Sequence, residues 1–144
     1  MLIGEFQHTV DTKGRVAVPA KFRVHLTKGA VITRGLEHCL FLINTQEWEA
    51  LATKLAALPL SQANSRAFAR LMFAGAMDVD IDGQGRILIP DYLRTYAGIG
   101  KDVVVAGLYT RIEIWDTAAW NAYRGKTEKN SDEIAEKLSD MGMI

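Results

Sequence analysis

Two arginines, Arg15 and Arg86, are the residues best placed to do chemistry, because each directly follows a tight turn in a stretch that occurs twice. The first copy reads Asp11-Thr12-Lys13-Gly14-Arg15-Val16-Ala17-Val18-Pro19-Ala20-Lys21-Phe22-Arg23. The second reads Asp82-Gly83-Gln84-Gly85-Arg86-Ile87-Leu88-Ile89-Pro90-Asp91-Tyr92-Leu93-Arg94, at a constant offset of 71 and with five identities. A guanidinium fixed after such a turn presents its donors rigidly, which suits a phosphate or the O6/N7 edge of guanine. Each arginine could instead pair with the aspartate of its own copy and lock the turn. Lys13, Lys21 and Arg23 add positive charge around the first turn, whereas the second offers uncharged Gln84 and then Asp91. Asp11, Gly14, Asp82 and Gly85 are ordinary turn formers, and Pro19 and Pro90 suit the first position of a helix, so these six read as architecture.

Other chemistries are poorly supported. The Gly83/Gly85 and Gly98/Gly100 pairs lack the third glycine and following helix of a dinucleotide site. His8, His25 and His38 are scattered, without metal-ligand spacing. Cys39 adjoins His38, but neighbours on a strand face opposite sides, which favours a buried structural thiol over a nucleophile. Asp78, Asp80 and Asp82 share a strand face and read as a solvated acidic strand rather than a cation site. The expectation is a chain with no catalytic residue, no cofactor, no metal and no small-molecule substrate.

The elements that position the arginines follow from pattern. Phe6, His8 and Val10 alternate with polar residues as on a half-buried strand, and Arg15 to Val18 form a second short strand, which together predict a hairpin. A short helix should run from Pro19 to Leu26, since Phe22 and Leu26 share a face. Ala30–Thr33 and Cys39–Ile43 read as strands around a turn at Gly35. Asn44 with Glu47 makes a capping box for a helix through Trp48, Leu51, Leu55 and Leu58. Pro59 ends that helix, and Ser61 is expected to cap another carrying Phe68, Leu71 and Met72. The first unit then recurs, with one residue inserted near 98–101. The expected division is a first repeat at 5–47, a helical linker at 48–74, a second repeat at 76–119 and a polar tail at 124–144, frayed or a short surface helix.

Composition sets the outer bounds. The chain of 144 residues is 49% hydrophobic and has equal numbers, 17 each, of basic and acidic residues. No run approaches the roughly 20 apolar residues of a membrane span, and the start has no export-signal pattern, so a soluble, unexported protein is expected. Charge is unevenly shared: residues 1–74 hold nine basic and five acidic residues, residues 75–144 eight and twelve. A polyanion should therefore meet the first half, since a local patch acts within the screening length even on a neutral chain.

With the duplicated turn in order, the segments Ile3-Gly4-Glu5-Phe6, Thr33-Arg34-Gly35-Leu36, Leu58-Pro59-Leu60 and Gly85-Arg86-Ile87-Leu88-Ile89-Pro90 resemble the MraZ family of bacterial transcriptional regulators over residues 1–123. The resemblance implies an α+β, β-rich fold of two AbrB-like units whose strands interleave into a swapped-hairpin barrel. It implies ring-shaped homo-oligomers that bind short tandem repeats in double-stranded promoter DNA of the cell-wall and cell-division gene cluster, usually repressing it. It places such a protein in the cytoplasm, at the nucleoid. The family's Asp-x-x-x-Arg motif falls on Asp11 to Arg15 and on Asp82 to Arg86, implying DNA contact by the two arginines.

Overall fold

The two copies do not fold side by side; they exchange strands. The computed structural model describes all residues, 1–144. The first copy supplies β1 (Ile3–Thr9), β2 (Arg15–Ala17), α1 (Ala20–Arg23), β3 (Ala30–Arg34) and β4 (Leu40–Asn44). Helices α2 (Thr45–Ala56) and α3 (Ala63–Ala69), the latter prolonged by a π-helical turn at Arg70–Ala74, lead to the second copy. That copy supplies β5 (Met77–Val79), β6 (Arg86–Leu88), α4 (Asp91–Tyr96), β7 (Asp102–Leu108) and β8 (Ile112–Asp116), and the chain ends in α5 (Thr117–Lys129) and α6 (Ser131–Asp140).

Strands β1, β7, β8, β4, β3 and β5 form one antiparallel sheet in that order, and β2 pairs with β6 in a separate ribbon. β1 therefore lies against β7 of the other copy over seven residue pairs, and β5 against β3 of the other copy. The expected β1–β2 hairpin survives only as the single bridge Val10–Val16 at its turn, beyond which the strands part to distant partners, in the second copy of the stretch. The class is α+β as expected, with a large antiparallel sheet, but helices hold more residues than strands, the strand order closes no hydrogen-bonded ring, and β1 and β5 end the larger sheet.

Alternation along the strands explains the layers. Val16 and Ile87 on the inner ribbon face, Phe22 and Leu93 on α1 and α4, and Ile32, Leu40, Leu42, Val103, Val105, Ile112 and Ile114 on the sheet make one core drawn from both copies. The opposite sheet face carries Cys39, Phe41, Ile43 and Trp115, covered by Leu55, Met72, Trp48, Phe68 and Trp120 of the helices. Strand β4 is thus buried on both sides, which accounts for its unbroken apolar run. The 2.8 Å bond from Glu47 N–H to Asn44 Oδ1 caps α2 as expected.

Three local expectations need correction. Pro19 and Pro90 sit one position before their helices, with extended ψ of 136° and 150°, and their carbonyls accept the first helical amides. Ser61 caps nothing; α3 starts at Ala63, and Gln62 occupies its N-cap without a side-chain bond. The tail from 124 is not frayed: it starts inside α5, which Asp116 caps by accepting from Ala119 N–H at 3.3 Å, and continues in α6. No helix is long and apolar enough to cross a membrane.

Candidate nucleic-acid interface

The duplicated turns are built identically. Asp11 Oδ1 accepts the amides of Lys13 and Arg15, both at 2.9 Å, while Gly14 N–H donates to Asp11 O at 3.0 Å. Asp82 Oδ1 accepts the amides of Gln84 and Arg86 at 2.9 Å, and Gly85 N–H reaches Asp82 O at 3.0 Å. Aspartate serves here because its short carboxylate can turn back onto amides two and four residues ahead. Gly14 (φ 85°) and Gly85 (φ 77°) hold the left-handed conformation that a side chain would strain. The amide of Arg15 is the largest cause holding the Asp11 carboxyl below its ordinary range, and the amide of Arg86 does the same for Asp82.

The second oxygen of each aspartate orients the arginine. Arg15 Nε donates to Asp11 Oδ2 at 2.8 Å, and Arg86 Nε to Asp82 Oδ2 at 2.9 Å. Of the two possibilities open in the sequence, the intramolecular lock is therefore present. It uses one edge of the guanidinium only. No protein group bonds the terminal nitrogens of Arg15, while a terminal nitrogen of Arg86 stands 3.8 Å from Asp11 of the other copy. The two side chains keep 34% and 27% exposure, so Arg15 is the freer of the pair.

The ribbon brings these two arginines together. Arg15 pairs with Leu88, Val16 with Ile87 and Ala17 with Arg86. Because side chains alternate, Val16 and Ile87 point into the core while Arg15, Ala17, Arg86 and Leu88 share the outer face. The ribbon is extended symmetrically by Val18 N–H to Gly85 O at 2.9 Å and Ile89 N–H to Gly14 O at 2.8 Å. Two positive groups thus project from neighbouring strands of a two-stranded ribbon, a shape that the major groove of B-DNA admits.

The other candidate cations lie differently. Lys13 is exposed at the tip of the first turn. Lys21 Nζ stands 5.2 Å over the Phe6 ring on β1. Arg23 donates from Nε to Val18 O at 2.8 Å and occupies the space where a Cβ on Gly85 would project. Its counterpart Arg94 donates to Ile89 O at 2.6 Å, pairs with Asp91, and fills the corresponding space beside Gly14. Each helix therefore props the turn of the opposite copy with an arginine. Sequence reading gave Arg94 no role, although the identity of 23 and 94 between copies was the available signal; Ala17 and Leu88 were missed because their face depends on long-range pairing.

Elsewhere, no three His, Cys, Asp or Glu side chains converge as metal ligands. Burial, then the Glu113 charge, pushes the Cys39 thiol far up, and His38 is turned away onto Tyr96, with ring centroids 4.8 Å apart. Burial and then the Arg23 charge lower the His8 pKa.

Comparison with known proteins agrees with the duplicated architecture. The family described as "MraZ protein, putative antitoxin-like" matches twice, at residues 1–71 and 72–141. The chain is 48% identical over 143 residues to a protein of Acetivibrio thermocellus named "Transcriptional regulator MraZ", covering 99% of this chain and all of that one. Relatives of the same name from Thermoanaerobacter sp. and Carboxydothermus hydrogenoformans are 48% and 46% identical, covering 99% and 97% of this chain and 100% and 98% of their own lengths. With both copies matched by the family and near-complete coverage of such relatives, the chain belongs to the MraZ family.

Proposed function

We propose that this chain is a sequence-specific, DNA-binding transcriptional regulator that carries out no catalysis, and that the outer face of the β2–β6 ribbon is its DNA-reading surface. The observation that carries the reading is the pair Arg15 and Arg86, held by Nε on one face with the terminal nitrogens of Arg15 unpaired. Arg15 and Arg86 meet base edges or phosphates, Lys13 flanks them, and Lys21 and Arg23 add charge from behind. Arg15 carries more of the binding than Arg86, because Asp11 already draws on Arg86 and the second turn has no lysine. The exchanged strands and shared core are read as a swapped-hairpin barrel of two AbrB-like units. Several such subunits, arranged as a ring in the cytoplasm at the nucleoid, engage short tandem promoter repeats. The target is the cell-division and cell-wall gene cluster, which the protein represses.

A second reading is favoured by the same Nε contacts: a structural assembly protein whose arginines only lock its turns. A binding isotherm on the chain's own upstream DNA separates the two. For wild type, Arg15→Ala and Arg86→Ala, a regulator predicts folded variants with binding weakened by about 10-fold or more for Arg15→Ala and less for Arg86→Ala, in line with 1–3 kcal/mol per bidentate contact. Unaltered affinity in a folded Arg15→Ala variant, or unfolding of it, favours the lock.

A further inference from the structure

Helix α6 has an apolar stripe that its own chain does not bury. Ile134, Leu138 and Met141 recur at the spacing of one helical face. No residue of α6 is buried; Ile134 and Met141 are 41% and 66% exposed, and Leu138 is half-buried. The other side is acidic, with Glu133, Glu136 and Asp140 against the single cation Lys137. The joint to α5 is one residue, Asn130, and it is pinned. Asn130 Nδ2 donates to Lys126 O at 3.0 Å, Ser131 Oγ to Glu128 O at 3.1 Å, and Ile134 N–H to Asn130 O at 2.9 Å. α6 is thereby held at a fixed joint to α5, as an arm whose stripe is not buried by its own chain.

A matching surface lies between α2 and α3. There the helices leave an open apolar groove of about 420 Å³ over β4, lined by Phe41, Ile43, Leu51, Phe68 and Met72. Lys54 stands on its rim and takes part in none of the chain's ion pairs.

We infer that α6 of one copy docks into the α2–α3 groove of a second copy, placing its acidic side against Lys54. The inference rests on the reading of the chain as an oligomer and names the contact that builds it. The occupant follows from complementarity: an apolar stripe meets an apolar groove, and the arm carries Asp132, Glu133, Glu136 and Asp140 against Lys137 alone, while the groove's charged lining is Lys54 and Arg111 against the single acid Glu47. Such surfaces attract head to tail and repel when like meets like. The contact uses two different patches on each copy, so it is heterologous, and it closes a ring wherever the rotation between copies allows.

Sedimentation velocity of the full chain tests this with two variants at unburied positions, Leu138→Asp on the arm and Ala50→Glu on the groove rim. Wild type should sediment as an oligomer, and each variant alone as a folded monomer. Mixed, they should give a dimer and nothing larger, because one intact arm meets one intact groove and the remaining ends are blocked. Either variant retaining the wild-type size, or a mixture that stays monomeric, overturns the inference while leaving the oligomer reading intact. A lowered melting temperature of Leu138→Asp without a change in mass assigns the arm to its own chain's groove and also overturns it. A monomeric wild type contradicts the oligomer reading itself.

Discussion

At the scale of single residues, each turn depends on one aspartate that satisfies two amides and holds one guanidinium edge. The two aspartates make acid sensitivity predictable in sign. Their folded pKa values lie below the ordinary 3.8, so the stability they contribute is full above that value and is lost as pH falls through the depressed values. Denaturant unfolding of wild type and Asp82→Asn should therefore differ at neutral pH and converge in acid; a constant gap would contradict this origin. The glycines are constrained twice, by a positive φ and by the arginine that fills the space a Cβ would need. Gly85→Ala should lower stability by about 1–3 kcal/mol, as measured by urea unfolding. That second constraint could not be read locally, since Arg23 reaches Gly85 only because the copies exchange strands.

At the scale of elements, turn chemistry and periodicity were legible and strand partners were not. The turns, the strands on either side of Gly35 and the Asn44 cap all rest on interactions within a few residues, which the sequence displays directly. Alternation in Phe6, His8 and Val10 announces a half-buried strand, yet says nothing of whether it pairs with β2, four residues beyond, or with β7. The short ribbon is the element on which the site depends. Val16 and Ile87 are each 1% exposed and anchor it from below. Ile87→Ala should cost about 2–5 kcal/mol in thermal or urea unfolding, and weaken DNA binding through loss of the folded state. The chain's end was underread because α5 packs through a few aromatics, Trp120 and Tyr123 on Trp115, set among polar residues.

At the scale of the whole molecule, a chain with no net charge that binds a polyanion as proposed does so through a local patch and through number. Linking several subunits on repeated sites raises avidity by about 10² to 10⁴ over one subunit, provided the spacing lets them engage together. Affinity for DNA carrying repeated boxes should accordingly exceed that for a single box, and both should fall steeply with salt as counterions are released. The central claim is that the outer ribbon face meets DNA. Leu88 lies on that face opposite Arg15, is 54% exposed, and contributes nothing to the core. Titration of labelled upstream DNA with Leu88→Glu measures the claim most directly: the account predicts a folded protein whose binding is largely lost, and wild-type affinity in that variant would contradict it.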